Sequence, residues 1–144
     1  MLFRSHPDFD GVNSSVGLAR LYLGQFAEAL QIMQREPNDG YRLAGLALVY
    51  WALGRRGESD VALNSLTDKF ASSDAYGIAA VHAYRGEIDE AFRWLDRAYR
   101  GHVYGMLDLK TDPLLRNLRG DPRFQALLSR MRLTGPPQPQ VSRL

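Results

Sequence analysis

At 144 residues the chain can bury one continuous core and has no need of a second. Its charged fraction of 24% and apolar fraction of 45% are those of a folded domain, and a formal net charge of +2 is too small to argue for nucleic acid. Cysteine is absent, which excludes a disulfide framework and thiolate chemistry, and no apolar run approaches the roughly 20 residues of a membrane span. The opening MLFRSHPDFD has no apolar core of a signal peptide, so a cytoplasmic location and no membrane contact are expected. Lys69 and Lys110 are the only lysines; the bias to arginine reads chiefly as a GC-rich genome and only secondarily as selection for bidentate contacts.

Residues 1–12 read as an irregular segment broken by Pro7 and Gly11. Asn13, Ser14 or Ser15 is expected to cap a helix running to about Leu23, after which Gly24 turns the chain. A second helix carries Phe26, Ala29, Leu30 and Met33 on one face and stops at Glu36-Pro37, because the residue before proline avoids helical geometry. Asn38-Asp39-Gly40 turns and caps a third helix with Leu43, Leu46, Ala47 and Tyr50 on one stripe, ending at Gly54. A fourth, from about Glu58 to Phe70, turns Ala62, Leu63, Leu66 and Phe70 inward. Ser72, Ser73 or Asp74 caps the fifth, and residues 76–99 form a helical hairpin bent at Gly86. There Ala75, Ile78, Ala79 and His82 match a stripe of Ile88, Ala91, Phe92, Leu95, Ala98 and Tyr99. Small residues alternate with large ones on both stripes, so the two backbones can approach closely. Glu87, Asp89 and Glu90 put negative charge on the first turn of the sixth helix.

Residues 101–134 then read as a connector, anchored by Met106, Leu107 and Leu109, followed by two short helices. Each helix starts on Asp-Pro, Asp112-Pro113 and Asp121-Pro122, with aspartate as the cap and proline where its missing N–H costs nothing. The first offers Leu114, Leu115 and Leu118, the second Phe124, Leu127, Leu128 and Met131. Residues 135–144, GPPQPQVSRL, cannot build a core and read as a disordered tail. No strand signal occurs, so the fold class expected is all-α.

Gly24, Gly54 and Gly86 recur at separations of 30 and 32 residues, near the tetratricopeptide (TPR) period of about 34. GLARLYLGQFAEAL, GLALVYWALGRRGESDVAL and GIAAVHAYRGEIDEAFRWLDRAY resemble three TPR hairpins, spanning 13–37, 39–70 and 73–100. The second matches the pattern at Leu46, Ala47, Tyr50 and Gly54, the third at Ile78, Ala79, His82, Gly86, Ala91, Leu95 and Ala98. The first offers Val16, Gly17, Gly24 and Ala29 but has Arg20 in place of the aromatic. It is four residues short, about one helical turn, which shortens its second helix without rotating its apolar face. Ser59 replaces the signature alanine, and Pro7 falls where a preceding repeat would close. LKTDPLLRNLRGDPRFQALLSRM resembles the closing segment of bacterial TPR regulatory and scaffold proteins. The resemblance implies a right-handed superhelical solenoid of three hairpins plus two short C-terminal capping helices. Leu114, Leu118, Phe124 and Leu128 should then pack on the second helix of the last hairpin, near Leu95 and Tyr99.

For function, His6, His82 and His102 are scattered without ligand spacing, and no nucleophile, phosphate-loop or dinucleotide motif is present. An enzyme, a metal and a cofactor are therefore not expected, and His82 reads as a structural histidine. The TPR register assigns the inner surface to Leu18, Leu21 and Tyr22, then Tyr41, Ala44, Leu48 and Trp51, then Tyr76, Ala80 and Tyr84. Tyr22, Tyr41, Leu48, Trp51, Tyr76 and Tyr84 form the expected groove for an unidentified protein or peptide. The alternative is that several of them pack on the C-terminal helices or between hairpins. The Lys and Asn that grip a C-terminal carboxylate in chaperone-tail TPR proteins would fall at Ser14, Leu18, Ala44, Leu48, Tyr76 and Ala80, so that clamp is absent.

Arg116, Arg119, Arg123 and Arg130, with Arg132 and Arg143, offer an anion patch for phosphate or acidic protein. Nucleic acid is disfavoured because no aromatics interleave with them, and a solvated helix face is the alternative. The first hairpin presents Leu18, Leu21, Tyr22 and Phe26 with no upstream neighbour. Either Met1, Leu2, Phe3 and Phe9 cover that face or two copies meet there in a homodimer. The function expected is a non-catalytic interaction scaffold or adaptor, with a self-associating structural module and an anionic-ligand binder as alternatives.

Overall fold

Gly24, Gly54 and Gly86 occupy the left-handed region, with φ of 75°, 76° and 79°, and each reverses the chain between two helices. A computed structural model describes residues 11–101, 106 and 108–132. Among them all regular structure is helical: α1 (Val12–Tyr22), α2 (Phe26–Gln34), α3 (Asp39–Ala52), α4 (Arg56–Phe70), α5 (Ala75–Tyr84), α6 (Ile88–Arg100), a 3-10 helix (Pro113–Leu118) and α7 (Pro122–Arg130). None of the described helices is long and apolar enough to cross a membrane. The tail at 135–144, the segment 1–10 and Leu107 lie outside the described residues.

The three reversals share one set of backbone hydrogen bonds. Gly24 N–H donates to Leu21 O at 3.0 Å and Gln25 N–H to Arg20 O at 2.9 Å. Gly54 and Arg55 repeat this onto Trp51 and Tyr50, and Gly86 and Glu87 onto Ala83 and His82. This is the Schellman arrangement, which satisfies carbonyls that a helix end would otherwise leave bare. A Cβ at any of the three glycines would meet no atom within 4 Å, so the requirement is conformational and not one of space.

Each reversal lays its two helices side by side, giving the hairpins α1–α2, α3–α4 and α5–α6. Successive hairpins pack through α2 on α3 and α4 on α5, while the first helices, α1, α3 and α5, lie next to one another in order. Met33, fully buried, fills the junction of the first two hairpins. Its side chain occupies the space that a Cβ would need at both Gly17 and Gly45. Those two glycines let α1 and α3 approach the thioether closely.

Two buried polar side chains join helices that apolar packing alone would leave unlocked. Glu36, 1% exposed, accepts from Gly11 N–H at 3.0 Å, Ser14 N–H at 2.8 Å and Asn38 N–H at 3.1 Å. The first helix begins at Val12 with Gly11 as its cap residue and no side-chain cap of its own. Capping by Asn13, Ser14 or Ser15 is thus not what occurs. The antiparallel hairpin brings the end of α2 to the start of α1, and Glu36 supplies the acceptor from there. Burial works to raise the Glu36 pKa, but the three backbone N–H groups and the charge of Arg42 outweigh it and hold the carboxyl below its ordinary value.

Ser59 is the second such residue. Its hydroxyl donates to Ala47 O at 2.7 Å and accepts from Arg85 Nη1 at 3.1 Å. It stands where Ala29 and Ala91 stand in the other hairpins, the fourth residue after each cap residue, and all three are fully buried. The Arg85 side chain, only 7% exposed, reaches back from the end of α5. Its guanidinium lies 4.5 Å from the Trp51 ring centroid and pairs with Asp60 at 2.6 Å. Nε sits 2.9 Å from Glu87 Oε1 but is not aligned to donate, so that contact is an ion pair and not a hydrogen bond. The third hairpin is thereby clamped to the second.

The C-terminal elements divide. Asp112 caps the 3-10 helix, accepting from Leu114 N–H at 2.9 Å, and Asp121 caps α7, accepting from Arg123 N–H at 2.9 Å. The α7 helix lies along α6, with Arg123 over Phe92 at 4.4 Å and Arg130 over Tyr99 at 4.5 Å. The 3-10 helix packs instead on α5, the first helix of its hairpin. The expectation that Leu114 and Leu118 would join Phe124 and Leu128 on the second helix is corrected here. Two long-range bonds hold the 3-10 helix on the other side: Tyr76 Oη to Asp112 Oδ2 at 2.6 Å, and Asn117 Nδ2 to Ala83 O at 2.9 Å.

Two outcomes follow for stability. The ordinary value for Glu36 is 4.5 and folding lowers it, so its contribution is complete above 4.5 and is lost as pH falls through the folded value. The urea-melt difference between wild type and Glu36→Gln should be about 1.5–3 kcal/mol at neutral pH and shrink progressively below 4.5. At the first junction, Met33→Ala should cost about 2–5 kcal/mol and Gly45→Ala about 1–3 kcal/mol. The double variant should cost clearly less than the sum, because the missing thioether makes room for the new methyl.

Candidate functional site

Because every hairpin turns the same way, α1, α3 and α5 present neighbouring faces, and a groove of about 1080 Å3 runs across them. From α1 it takes Ser14, Ser15, Val16 and Leu18, from α3 Tyr41, Ala44 and Leu48, and from α5 Tyr76, Gly77 and Ala80. The far wall is made by the C-terminal segment at Asp108, Asp112 and Leu114, with Ser72, Ser73 and Asp74 at the entry to α5. Leu48, 3% exposed, forms floor, while Tyr41 is 48% exposed and stands open to the groove.

The described lining holds three carboxylates, Asp74, Asp108 and Asp112, and no Lys, Arg or His. Asp74 caps α5, accepting from Gly77 N–H at 3.1 Å. Burial raises its pKa, and that hydrogen bond offsets only part of the rise. The Tyr76 hydroxyl is held in the proton-donor state by burial, by its bond to Asp112 and by the charges of Asp112 and Asp108. Tyr22 is pushed up to about 12 by burial, the charge of Asp112 and the neighbouring Tyr84. Burial raises Tyr84 as well. The phenols beside Asp112 are therefore neutral donors at physiological pH.

Of the six residues expected to form the groove, Tyr41, Leu48 and Tyr76 line it together. Trp51, Tyr22 and Tyr84 are not part of that lining. The Trp51 ring is taken up by Arg85 and by Arg56, the latter at 4.9 Å. Tyr22 feels the charge of Asp112 and neighbours Tyr84. Leu21, assigned to the inner surface and to a self-association face, is a core residue at 4% exposure. The six positions compared with the carboxylate clamp, Ser14, Leu18, Ala44, Leu48, Tyr76 and Ala80, all line the groove.

The expected anion patch is not assembled as one. Arg123 pairs with Asp121 and Asp89, each at 2.9 Å, and Arg130 with Asp96 at 3.4 Å. Both arginines serve to fasten α7 to α6. Arg119 donates to Asp112 O at 3.2 Å, and Arg116 is exposed on the 3-10 helix. His82 Nδ1 lies 3.0 Å from Glu87 Oε1, inside the third hairpin. The described residues contain no group of three or more His, Asp or Glu that could hold a metal ion.

The carboxylates are what sequence reasoning missed. Asp74 and Asp112 were legible as helix caps, and a cap gives no sign of which surface it borders. Asp108 had no signal beyond its place in the connector. Comparison with protein-family models, with curated proteins and with solved structures finds no match in any of the three. The groove itself therefore carries the functional reading.

The Tyr76–Asp112 bond predicts a local effect. Tyr76→Phe should release the 3-10 helix by about 1.5 kcal/mol, the low end for a hydrogen bond to a charged group, or roughly tenfold in an opening equilibrium. Hydrogen exchange should accelerate at Leu115 and Arg119, whose amides bond within that segment, and remain unchanged in α3 and α4.

Proposed function

We propose that this chain is a non-catalytic binding module, a TPR-like right-handed solenoid whose inner groove takes an extended segment of a partner protein. It acts in this reading as a cytoplasmic adaptor or scaffold. The observation that carries it is the groove of about 1080 Å3, to which the first helix of each hairpin contributes at the register positions Leu18, Ala44, Leu48, Tyr76 and Ala80. The identical hydrogen bonds at Gly24, Gly54 and Gly86 support the repeat. So do the matching buried small residues Ala29, Ser59 and Ala91. An open groove with an exposed tyrosine, lined by all three units, suits an extended chain better than a compact small molecule.

A photo-reactive phenylalanine analogue placed at Tyr41 tests this in cells. Discrete adducts should form at position 41, and Ala44→Arg, which fills the groove floor, should abolish them while leaving thermal melting within a few degrees. The same analogue at Val61, exposed on α4 outside the groove, should give none of those adducts. Equal labelling from both positions, or adducts indifferent to Ala44→Arg, would overturn the reading.

A specific observation also favours self-association. Tyr22 and Leu23 are exposed at the end of α1, outside the groove lining, with Leu23 at 70%, and exposed apolar side chains are what interfaces cover. Sedimentation equilibrium of wild type against Leu23→Glu decides it: a dimer should dissociate in the variant. Leu23 is the informative position because Leu21 is core.

A further inference from the structure

We infer that the partner segment is cationic: an extended peptide of another protein bearing arginine or lysine side chains that meet the carboxylates at the α5 end of the groove. This rests on the groove being the binding surface, and names what it binds. The charge distribution carries it. The chain holds 18 basic and 16 acidic residues, yet the described lining collects Asp74, Asp108 and Asp112 without one cation. Arg123 and Arg130 are spent on the opposite side, on α6. An acidic concavity in a net positive chain attracts a partner of the opposite sign and repels acidic ones.

Geometry narrows the occupant further. The carboxylates border α5: Asp74 caps it, and Asp108 and Asp112, one turn apart through the Asp112 N–H to Asp108 O bond, both bear on the Tyr76 hydroxyl. Asp112 accepts from Leu114 N–H and Tyr76 Oη, both neutral donors, and Asp74 from Gly77 N–H. Arg119 donates to the Asp112 backbone oxygen at 3.2 Å; at Asp74, where burial disfavours the bare carboxylate, a guanidinium or ammonium would be a charged donor. Tyr41 offers an exposed ring face, the surface on which arginine stacks. The fold uses the same pairing internally, with guanidinium groups over Trp51, Phe92 and Tyr99 at 4.4–4.5 Å.

The test is fluorescence anisotropy on the full chain, with three labelled octapeptides alternating alanine with arginine, glutamine or glutamate. The arginine peptide should bind, the glutamine peptide at least about tenfold more weakly, and the glutamate peptide not at all. The combined Asp74→Asn, Asp108→Asn, Asp112→Asn variant keeps a good capping side chain at both caps. It should lose about tenfold in affinity for the arginine peptide and most of its salt dependence. Asp108→Asn alone, away from any cap, should lose part of this, and Asp68→Asn, exposed on α4, none.

Arginine-peptide binding indifferent to the triple variant, or glutamine binding as tight as arginine, overturns the inference. If a glutamine or glutamate peptide binds and competes with the Tyr41 adduct, the groove reading survives and only the cationic partner fails. If no peptide binds and no adduct forms at position 41, both fail. A dimer that the arginine peptide does not dissociate would assign the groove to a second copy. Binding that emerges only in Arg143→Glu would assign it to the chain's own tail. Each of these last two results overturns the inference.

Discussion

The left-handed turn at Gly24, Gly54 and Gly86 is the constraint on which everything else rests. Three reversals with the same hydrogen bonds and the same φ to within a few degrees give each hairpin the same turn. Helices joined that way present their first members on one side and their second members on the other. The fifth residue past each turn glycine, Ala29, Ser59 and Ala91, is thereby sent to the core. A Cβ at the glycines would clash with nothing; it would penalise the left-handed backbone, and with it the reversal itself.

Identical hairpins do not by themselves stack in one order, and the junctions are where this chain departs from regularity. Between the first two hairpins, Met33 enters a slot left by Gly17 and Gly45, and Glu36, which ties the end of α2 to the start of α1, also accepts from Asn38 N–H at the cap of α3. Between the second and third, Ser59 replaces a buried alanine with a hydroxyl that both donates to α3 and receives Arg85. A buried polar group is tolerated only when its bonds are made. Each of these therefore favours one relative placement of neighbouring hairpins over many apolar alternatives.

Arginines on α7 and beyond α5 pair with carboxylates and cover aromatic rings, where they bind the fold together. On the groove side the described lining keeps carboxylates and protonated phenols. Salt screens such a field over about 8–10 Å at physiological strength, so it acts on whatever enters the groove and little beyond it.

Helix positions, their order and the two Asp-Pro starts were legible in the sequence, because 3.6-residue periodicity, glycine at helix ends and proline at helix starts are local properties of the chain. Of the ten residues expected on one inner surface, Leu18, Tyr41, Ala44, Leu48, Tyr76 and Ala80 line the groove and Leu21, Tyr22, Trp51 and Tyr84 do not, because the helix period fixes a face only coarsely. What lay beyond the sequence was long-range pairing. Nothing near Glu36 announces that its acceptor oxygens serve Gly11 and Ser14, more than twenty residues away. Nothing near Trp51 announces that Arg85 will cover it. Asp112 was readable as a cap, but only the fold brings it to Tyr76 and so turns the 3-10 helix onto α5 as a groove wall. Local periodicity determined the elements and their faces; the sign of the groove's charge was decided by tertiary contacts that join residues distant in the chain.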